Sequence, residues 1–494
     1  MKSIHHSDSL EFLKTCDDYE FDINYSDPPY GFGSNVIIKK DGHVDYKNAK
    51  DFMNKWKMPT GEYWDDWFKE AFRTLKHGGY CIMFSIDRCC LLFKYYAIKA
   101  GFIENQSMYW YFISNMPKAS DLSKNIDKHF GAEREIVGKK IGRGAKLVSD
   151  MRGGNFMSSI AAGIDCSNIT APSNEIAQKY NGYKYSIAPT KQTNETILIF
   201  QKPYKTKSCL HDTLAFESGD SECCCGAINI DGNRVGIELV VNGGGDLSKR
   251  SVYSGGIKRD NSTITQNIGR FPAQTFIDSD TAKILDKQSG DLKGGGSVSE
   301  HEKNLQSDIQ FAPSKHNGFD GFDDNGGCSK ILHKCDYEKG ELDLYLYESK
   351  VSAFERNAGC DKLKLHKSAR MPMRSNDIES DSIANDGTKT HRQTTYYNNH
   401  PTLKPISLNY RILNHFKTPN KQKIIFPFSG AGSEIIGGLK AGFTDYKASE
   451  ISEDYITIAN NRIEYWTSVG FELDKSKHEE KQRDNKTQNI DDLF

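Results

Sequence analysis

Short apolar runs and amphipathic stretches alternate along the amino-terminal part of the chain. Apolar side chains recur at helical spacing in residues 61–75, where Trp64, Trp67 and Phe68 share one face. Gly78 and Gly79 are expected to end this helix. The pattern also predicts strands over residues 21–26, 80–84, 108–112 and 196–201, and a second helix over residues 89–100. Strands that alternate with helices in this way favour an α/β fold with a parallel sheet.

The pattern changes in the middle of the chain and then returns. Between residues 205 and 395 Gly, Ser, Asn and Asp are frequent and apolar runs are short, which predicts an insert with long loops and some disorder. After it come a predicted strand, a helix and a second strand, at residues 423–428, 435–441 and 446–449. A charged, disordered tail is expected at the end. We therefore divide the chain into residues 1–204, 205–395, 396–472 and 473–494.

Composition limits the classes of protein to consider. A chain of 494 residues with 37% hydrophobic and 27% charged residues can bury a large core and is typical of a soluble protein. No apolar run of membrane-spanning length and no signal peptide is found, so a cytoplasmic protein is expected. The 12 cysteines are expected to be reduced thiols, and no metal is predicted, with zinc as the minor alternative. With a net charge of −1, contact with nucleic acid would depend on local clusters of Lys and Arg.

Candidate chemistry begins at the end of the first predicted strand, where the sequence reads Asp27, Pro28, Pro29 and Tyr30. A proline pair cannot continue a ladder, so these residues are expected just past the carboxyl end of a strand, where open α/β sheets bind ligands. The Asp27 carboxylate and the Pro28 carbonyl can accept both protons of an exocyclic amino group, and Tyr30 offers a face to a flat base. The pattern therefore suits methylation of an amino group, although four residues alone are also typical of a surface turn.

A second candidate element lies at residues 427–433, where the sequence reads Pro-Phe-Ser-Gly-Ala-Gly-Ser. The backbone amides of such a Gly-x-Gly turn, and the amino end of the helix after it, favour a negatively charged ligand group. Glu450 ends the strand that follows. An acid at this place in a nucleotide-binding βαβ unit usually binds ribose hydroxyls. The alternative for Glu450 is a solvated acid at a strand end.

Together these segments resemble the amino-methylating DNA methyltransferases that use S-adenosylmethionine, in the permuted beta-type order that places D-P-P-Y before F-x-G-x-G. Further segments similar to motifs of that family follow in the family's order, at residues 116–124, 269–273, 347–357 and 400–405. The resemblance covers most of the chain apart from the divergent middle and the tail. It implies a Rossmann-like methyltransferase sheet, circularly permuted, with an inserted target-recognition region.

The resemblance also implies a role for each segment. Residues 1–204 would form the catalytic half, residues 205–395 the target-recognition region and residues 396–472 the cofactor-binding half. The expected catalytic residues are Asp27, Pro28, Pro29 and Tyr30. The expected S-adenosylmethionine contacts are Asp8, Ser9, Thr402, Lys404, Pro427, Phe428, Ser429, Gly430, Gly432, Ser433 and Glu450, with Thr402 and Lys404 near the methionine carboxylate. Candidate DNA contacts are Lys118, Ser120, Lys124, Arg143 and Arg270.

The implied reaction is methyl transfer from S-adenosylmethionine to N6 of adenine in double-stranded DNA, by base flipping and direct in-line attack. A motif that begins with Asp favours adenine, and cytosine N4 is the alternative. Two positions depart from the family: Phe426 stands where Asp is usual, and Glu434 where Thr is usual. An acid that could meet the cofactor's amino group is therefore missing at position 426. This departure keeps open a DNA-binding relative without catalysis, and methylation of protein amides or RNA is a third alternative.

The carboxyl terminus suggests one more partner. Residues 488–494, Gln-Asn-Ile-Asp-Asp-Leu-Phe, place two apolar side chains at the end of an acidic tail. They are similar to short peptides that dock on bacterial replication sliding clamps. A featureless tail is the alternative. The resemblance therefore implies a protein of the cytoplasm of a bacterial or phage-infected cell.

Overall fold

The computed structural model describes residues 4–30, 35–47, 58–112, 118–139, 168–243, 264–277, 279–290, 333–334, 351, 353–363, 366–367 and 395–471. The strands are β1 (Ile4–His6), β2 (Phe21–Ser26), β3 (Val36–Ile38), β4 (Val44–Tyr46), β5 (Leu75–Ser85), β6 (Ile103–Glu104), β7 (Met108–Tyr111), β8 (Lys118–Asp121), β9 (Ile136–Lys139), β10 (Asn168–Thr170), β11 (Lys184–Ala188), β12 (Asn194–Gln201), β13 (Val235–Gly243), β14 (Ile264–Arg270), β15 (Thr275–Ile277), β16 (His333–Lys334), β17 (His366–Lys367), β18 (Thr395–Tyr396), β19 (Lys423–Phe426) and β20 (Asp445–Glu450). The helices are α1 (Ser9–Lys14), α2 (Gly61–Thr74), α3 (Asp87–Ala100), α4 (Leu122–His129), α5 (Glu175–Lys179), α6 (Cys209–Glu217), α7 (Ser279–Ser289), α8 (Ala353–Asn357), α9 (Ile406–His415), α10 (Ser433–Lys440) and α11 (Glu453–Ser468). None of these helices is long and apolar enough to cross a membrane.

One central sheet joins strands from the two ends of the chain. Its order is β1, β20, β19, β2, β5, β12, β7, β15 and β16, and β6 pairs beside them with β12. The neighbours from β1 to β5 are parallel. β12 then runs antiparallel to both β5 and β7, and β15 and β16 continue parallel to β7. The predicted α/β class is confirmed, with a sheet that is mostly but not wholly parallel.

The pairing of β2 with β19 positions the site. These strands run parallel, with Ile23 opposite Ile424 and Asn24 opposite Ile425. Every residue of β2 is buried, as is most of β19, because both lie inside the sheet. Parallel neighbours end at the same edge of a sheet. The segment after Ser26 and the segment after Phe426 therefore emerge side by side, although about 400 residues separate them in the sequence.

The boundaries of several elements differ from the sequence prediction. The prediction that Gly78 and Gly79 end the helix is wrong, because α2 ends at Thr74 and Leu75 already has an extended backbone. Both glycines lie inside β5, where the pairing with β2 is irregular. A Cβ on Gly79 would lie 2.8 Å from the Asp22 carbonyl oxygen, so glycine permits the close approach of the two strands. The edge strand β1 was not predicted, because three residues with two exposed side chains show no clear period.

An aromatic core lies between α2 and the sheet. Trp64, Trp67 and Phe68 on the predicted face of α2 are fully buried, as expected. Trp64 packs edge-on against Phe93 of α3, with ring centroids 4.9 Å apart, and Phe68 packs edge-on against Phe200 of β12. Burying aromatic rings of this size supplies much of the apolar stabilisation of a domain. The core therefore fixes α2, which forms part of one wall of the cavity described below.

The described parts of residues 205–395 pack partly on the central sheet. β15 and β16 extend the sheet beyond β7, whereas β13 and β14 form a separate antiparallel pair. The proposed boundaries at residues 204 and 395 stay predictions. The tail at residues 473–494, with its clamp-like peptide, lies outside the described residues.

Candidate active site

Asp27 and Tyr30 meet a buried lysine at the end of β2. Lys404 Nζ lies 2.6 Å from Asp27 Oδ2 and 3.3 Å from the Tyr30 hydroxyl oxygen. Glu195 of β12 completes the group: its Oε2 accepts a hydrogen bond from Tyr30 at 3.3 Å and lies 3.4 Å from Lys404 Nζ. The Lys404 and Glu195 side chains are only 4% and 5% exposed. Two carboxylates and one phenol thus share one buried cation, and we call Asp27, Tyr30, Glu195 and Lys404 the lysine network.

Burial and mutual attraction set the charges of this network. Burial alone lowers the pKa of Lys404, but Asp27 and Tyr30 outweigh it and raise the pKa above the ordinary value. Burial raises the pKa of Tyr30 to about 12, although Lys404 opposes the shift. At neutral pH Lys404 is therefore an ammonium and Tyr30 a neutral phenol. Held in this way, Asp27 is suited to accept hydrogen bonds from a ligand.

The glycine turn after β19 is tied to β20 through backbone and side-chain hydrogen bonds. The Ser429 hydroxyl donates to the Ser449 carbonyl at 3.0 Å, and the Ser449 hydroxyl donates to the Pro427 carbonyl at 2.9 Å. Glu450 accepts from the Gly430 amide at 2.9 Å and from the Ser452 amide at 3.0 Å. Burial raises the pKa of Glu450. The turn and the acid that ends β20 are therefore joined by hydrogen bonds into one unit.

Two glycines of the turn have positive φ and crowded surroundings. Gly430 has a φ of +46°, and a Cβ there would lie 2.9 Å from Nε2 of His400. Gly432 has a φ of +80°, and a Cβ there would lie 3.1 Å from Cβ of Ala459 in α11. Side chains are disfavoured at such positions both by the backbone and by the space available. The bare backbone is thus exposed to the cavity at Gly430.

The D-P-P-Y segment and the glycine turn line a single cavity of about 860 Å³. This volume lies within the range of small-molecule and cofactor sites. Its lining includes eleven residues predicted from the sequence: Asp8, Ser9, Asp27, Pro28, Pro29, Tyr30, Thr402, Pro427, Phe428, Gly430 and Glu450. The structure therefore brings both predicted blocks to one place.

Four predicted cofactor contacts do not line this cavity. The Lys404 ammonium group contacts Asp27, and its predicted contact with a methionine carboxylate stays a prediction. The Ser429 side chain is bonded to β20, and Gly432 packs on α11. The Ser433 hydroxyl accepts a hydrogen bond at 3.0 Å from the buried Arg462. Ser429, Gly432 and Ser433 therefore stabilise the glycine turn, and Lys404 belongs to the lysine network.

Asp8 lines the cavity next to the end of β20, because the Ser7 amide donates to the Glu450 carbonyl at 3.1 Å. It caps α1 by accepting the Leu10 amide at 2.9 Å. The Tyr63 hydroxyl lies 3.2 Å from Asp8 Oδ2 and 2.8 Å from the Ser9 hydroxyl. Tyr63 also lines the cavity but was not predicted as a site residue. Tyr63 packs against Trp64 in α2. The helical spacing of apolar residues indicates which face of α2 is buried, but not which groups a hydroxyl beside that face contacts.

A segment of the middle region supports residues 397–406. Arg356 of α8 donates to the His400 carbonyl at 2.6 Å, and the Glu355 carboxylate accepts the Ile406 amide at 2.7 Å. Asn357 accepts the amides of Tyr397 and Asn398. Two segments noted for their resemblance to family motifs thus contact each other directly. His400 is buried in consequence, and burial lowers its pKa to about 3, so its imidazole is neutral.

The two departures from the family pattern have different surroundings. Phe426 is 1% exposed and packs edge-on against Tyr25 and Tyr446, so it is a core residue of β19 and not a cavity residue. Glu434, in the first turn of α10, is 5% exposed and lines the cavity. Phe426 thus lies in the core, whereas Glu434 adds an acid to the cavity.

Two of the candidate DNA contacts, Ser120 and Lys124, do not line the cavity. Lys118 and Ser120 belong to β8, and Lys124 belongs to α4. Arg270 ends β14, and Arg143 lies outside the described residues. Within the part of the chain that the structure describes, no cluster of three or more His, Cys, Asp or Glu is arranged to hold a metal ion.

Comparisons with known proteins give a partial sequence match and distant structural alignments. No family model matches the chain. The Type II methyltransferase M.HpaI of Haemophilus parainfluenzae is 27% identical over 161 residues, which cover 30% of this chain and 46% of that protein. The match thus spans less than half of that relative.

Solved structures of DNA methyltransferases also align with the chain. They include the M1.HpyAVI–SAM complex, with a TM-score of 0.31, 10% identity, and coverage of 94% of this chain and 100% of that one. The PvuII DNA methyltransferase, described as cytosine-N4-specific, aligns with a TM-score of 0.34, 10% identity, and coverage of 95% and 92%. TM-scores this low carry no argument about fold or function.

Proposed function

We propose that this protein is a DNA methyltransferase that transfers a methyl group from S-adenosylmethionine to N6 of adenine. The observation that carries the proposal is the convergence of Asp27 and Tyr30 with the glycine turn at Gly430 on one cavity. β2 and β19 are parallel neighbours, so a group held by the first segment faces a ligand held by the second. The partial similarity to M.HpaI agrees with this class of reaction.

The residues of the cavity fit S-adenosylmethionine. The positive φ of Gly430 exposes backbone that a side chain would cover, and the first turn of α10 favours a carboxylate. Glu450 and Asp8 are acids that both line the cavity at the paired ends of β20 and β1, suited to ribose hydroxyls and to the adenine amino group. We assign Thr402, Pro427 and Phe428 to the same ligand. When bound, S-adenosylmethionine supplies an electrophilic methyl group.

The protein's own part in the reaction is to hold the target amino group. Lys404 contacts Oδ2 of Asp27, so we assign Oδ1 to one amino proton of the base and the Pro28 carbonyl to the other. Tyr30 provides a face for the extruded base, and Pro29 stiffens the segment. Two acceptors on one nitrogen direct its lone pair toward the methyl donor. The rate then comes from positioning and preorganised electrostatics.

The base and the DNA contacts rest on the sequence pattern. An Asp-first motif favours adenine, and methylation of cytosine N4 is the second candidate. We propose residues 205–395 as the target-recognition region, and Lys118, Ser120, Lys124, Arg143 and Arg270 as contacts to DNA. Clamp binding by residues 488–494 is supported by neither the comparisons nor the described structure and forms no part of this proposal.

Transfer of a labelled methyl group to DNA tests the proposal. The parent protein and the variants Asp27→Asn and Asp66→Asn are incubated with genomic DNA and labelled S-adenosylmethionine, and the nucleosides are separated by mass. Asp66 is an exposed acid of α2 and serves as the matched control. The parent and Asp66→Asn should form N6-methyladenine, and Asp27→Asn should be slower by about 10²- to 10³-fold. No labelled DNA from the parent, or an Asp27→Asn rate equal to that of the parent, would refute the proposal.

A further inference from the structure

Glu434 is a buried acid in the cavity that does not belong to the lysine network. It lies in the first turn of α10, the residue is only 5% exposed, and it lines the cavity beside Ala431 and Gly430. Among the described residues, no Lys, Arg or His lies within ion-pair distance of its carboxylate. A buried carboxylate without a partner is costly, so such an acid is favoured in its neutral form until a cation reaches it.

The cations closest to Glu434 are already engaged. Lys404 is paired with Asp27 and Glu195 in the lysine network. Arg462 of α11 donates to the Ala431 carbonyl and to the Ser433 hydroxyl. Asp27 adds a like charge to the surroundings of Glu434. A positively charged ligand group that enters the cavity would therefore meet one acid, Glu434, that still lacks an ion-pair partner.

We propose that Glu434 accepts the α-ammonium group of the methionyl part of S-adenosylmethionine. This inference rests on the proposed function and adds a residue to its cofactor site. The helix amino end at α10 favours the methionyl carboxylate, and the ammonium group is attached to the neighbouring carbon. The ligand's sulfonium is also positive, but it has no N–H to donate, whereas an ammonium has three. Glu434 thus supplies the acid that position 426 lacks.

The charge of Glu434 gives the proposal a measurable signature. Burial, reinforced by Asp27, raises the pKa of Glu434 to about 8, against the opposing influence of Lys404 and Arg462. The carboxyl group is therefore mostly protonated at neutral pH in the empty cavity. An arriving ammonium favours the ionised form, so binding releases a proton. His400, which also lines the cavity, is neutral at this pH and does not contribute.

Calorimetry with three ligands tests the inference. S-adenosylmethionine, S-adenosylhomocysteine and methylthioadenosine are titrated into the parent, Glu434→Gln and Glu453→Gln, in buffers of different ionisation enthalpy. Glu453 is an exposed acid at the start of α11 and controls for the change of net charge. Near pH 6.5 the parent should release about one proton on binding either amino-acid-bearing ligand. Near pH 7.5 Glu434→Gln should bind both about tenfold more weakly and release less than half as many protons.

The ligands separate the outcomes. Methylthioadenosine has neither ammonium nor sulfonium, so its affinity should be the same for all three proteins. If Glu434→Gln weakens S-adenosylmethionine but not S-adenosylhomocysteine, Glu434 faces the sulfonium and the inference is wrong. Equal affinities for every ligand would also overturn it while leaving methyl transfer to DNA intact. A parent that binds none of the ligands would overturn both the inference and the proposed function.

A second substitution guards against a folding defect. Glu434→Asp keeps the carboxylate but draws it back by one methylene group. It should retain proton release and lose less affinity for S-adenosylhomocysteine than Glu434→Gln. If Glu434→Asp and Glu434→Gln bind equally well, the carboxylate does not contact the ligand.

Discussion

Replacing Lys404 by Met should expose the cost of the buried charges around it. Methionine has nearly the length of lysine but no charge, so the substitution leaves Asp27 and Glu195 without their shared cation. The Asp27 and Glu195 side chains are 12% and 5% exposed, and water therefore solvates them poorly. A buried ion pair need not stabilise a protein more than apolar residues of the same size would. Removing only the lysine, however, leaves two negative charges unpaired where water solvates them poorly.

The magnitude follows from this geometry. Removing one partner of a buried ion pair costs about 3–5 kcal/mol, and the 2.6 Å contact with Asp27 together with the 3.4 Å contact with Glu195 places Lys404→Met in that range. The pKa of Lys404 is raised in the folded protein, so its contribution is complete below the ordinary pKa of lysine and is lost only as pH rises through the raised value. At neutral pH the whole effect should therefore be present.

Urea unfolding followed by near-ultraviolet circular dichroism measures the loss. Lys404→Met should unfold at a much lower urea concentration than the parent near pH 7. The double variant Lys404→Met/Glu195→Gln should recover part of the loss, because one charge of the network is then absent. The reasoning would be refuted if Lys404→Met lowered the free energy of unfolding by less than about 1 kcal/mol. It would also be refuted if the double variant lost as much stability as Lys404→Met and Glu195→Gln lose separately, added together.

Two further substitutions address the glycine turn and the core position before it. Gly430→Ala should lower the affinity for S-adenosylmethionine and cost about 1–3 kcal/mol of stability, because φ is +46° and the new Cβ would meet His400. Its control is Gly442→Ala, where φ is +87° but no atom lies closer than 3.8 Å, so equal effects on binding would contradict the crowding argument. Phe426→Asp restores the usual acid, yet it should destabilise the protein by at least about 3 kcal/mol without improving cofactor affinity, because position 426 is 1% exposed and faces the core. Calorimetric binding and urea unfolding check both, and tighter binding by Phe426→Asp would show that position 426 reaches the cavity.

Local sequence patterns predicted the parts of the fold that local physics determines. The apolar run of residues 21–26 is β2 with its predicted bounds, and the helical spacing of Trp64, Trp67 and Phe68 identified the buried face of α2. Each of these features depends on neighbours within one turn or one strand.

The features that the sequence did not reveal depend on distant partners. Lys404 and Asp27 are 377 residues apart, and nothing in either segment alone indicates that they form an ion pair. The hydroxyl of Tyr63 contacts Asp8 and Ser9, but helical periodicity only indicates which side of α2 is buried and not what it meets. Gly79 was interpreted as a helix stop because its actual role, contact with the backbone at Asp22, belongs to another strand.

The two acids near Lys404 suggest how the empty and loaded cavities differ. Lys404 is attracted both to Asp27, which it contacts, and to Glu434, which it does not pair with. If both acids were ionised without a ligand, one lysine would have to balance Asp27, Glu195 and Glu434 together. Protonation of Glu434 relieves this excess, and Lys404 remains committed to Asp27. On our proposal a ligand ammonium pairs with Glu434, and Lys404 stays paired with Asp27. The acceptor geometry that we assign to the target amino group would then be the same before and after the cofactor binds.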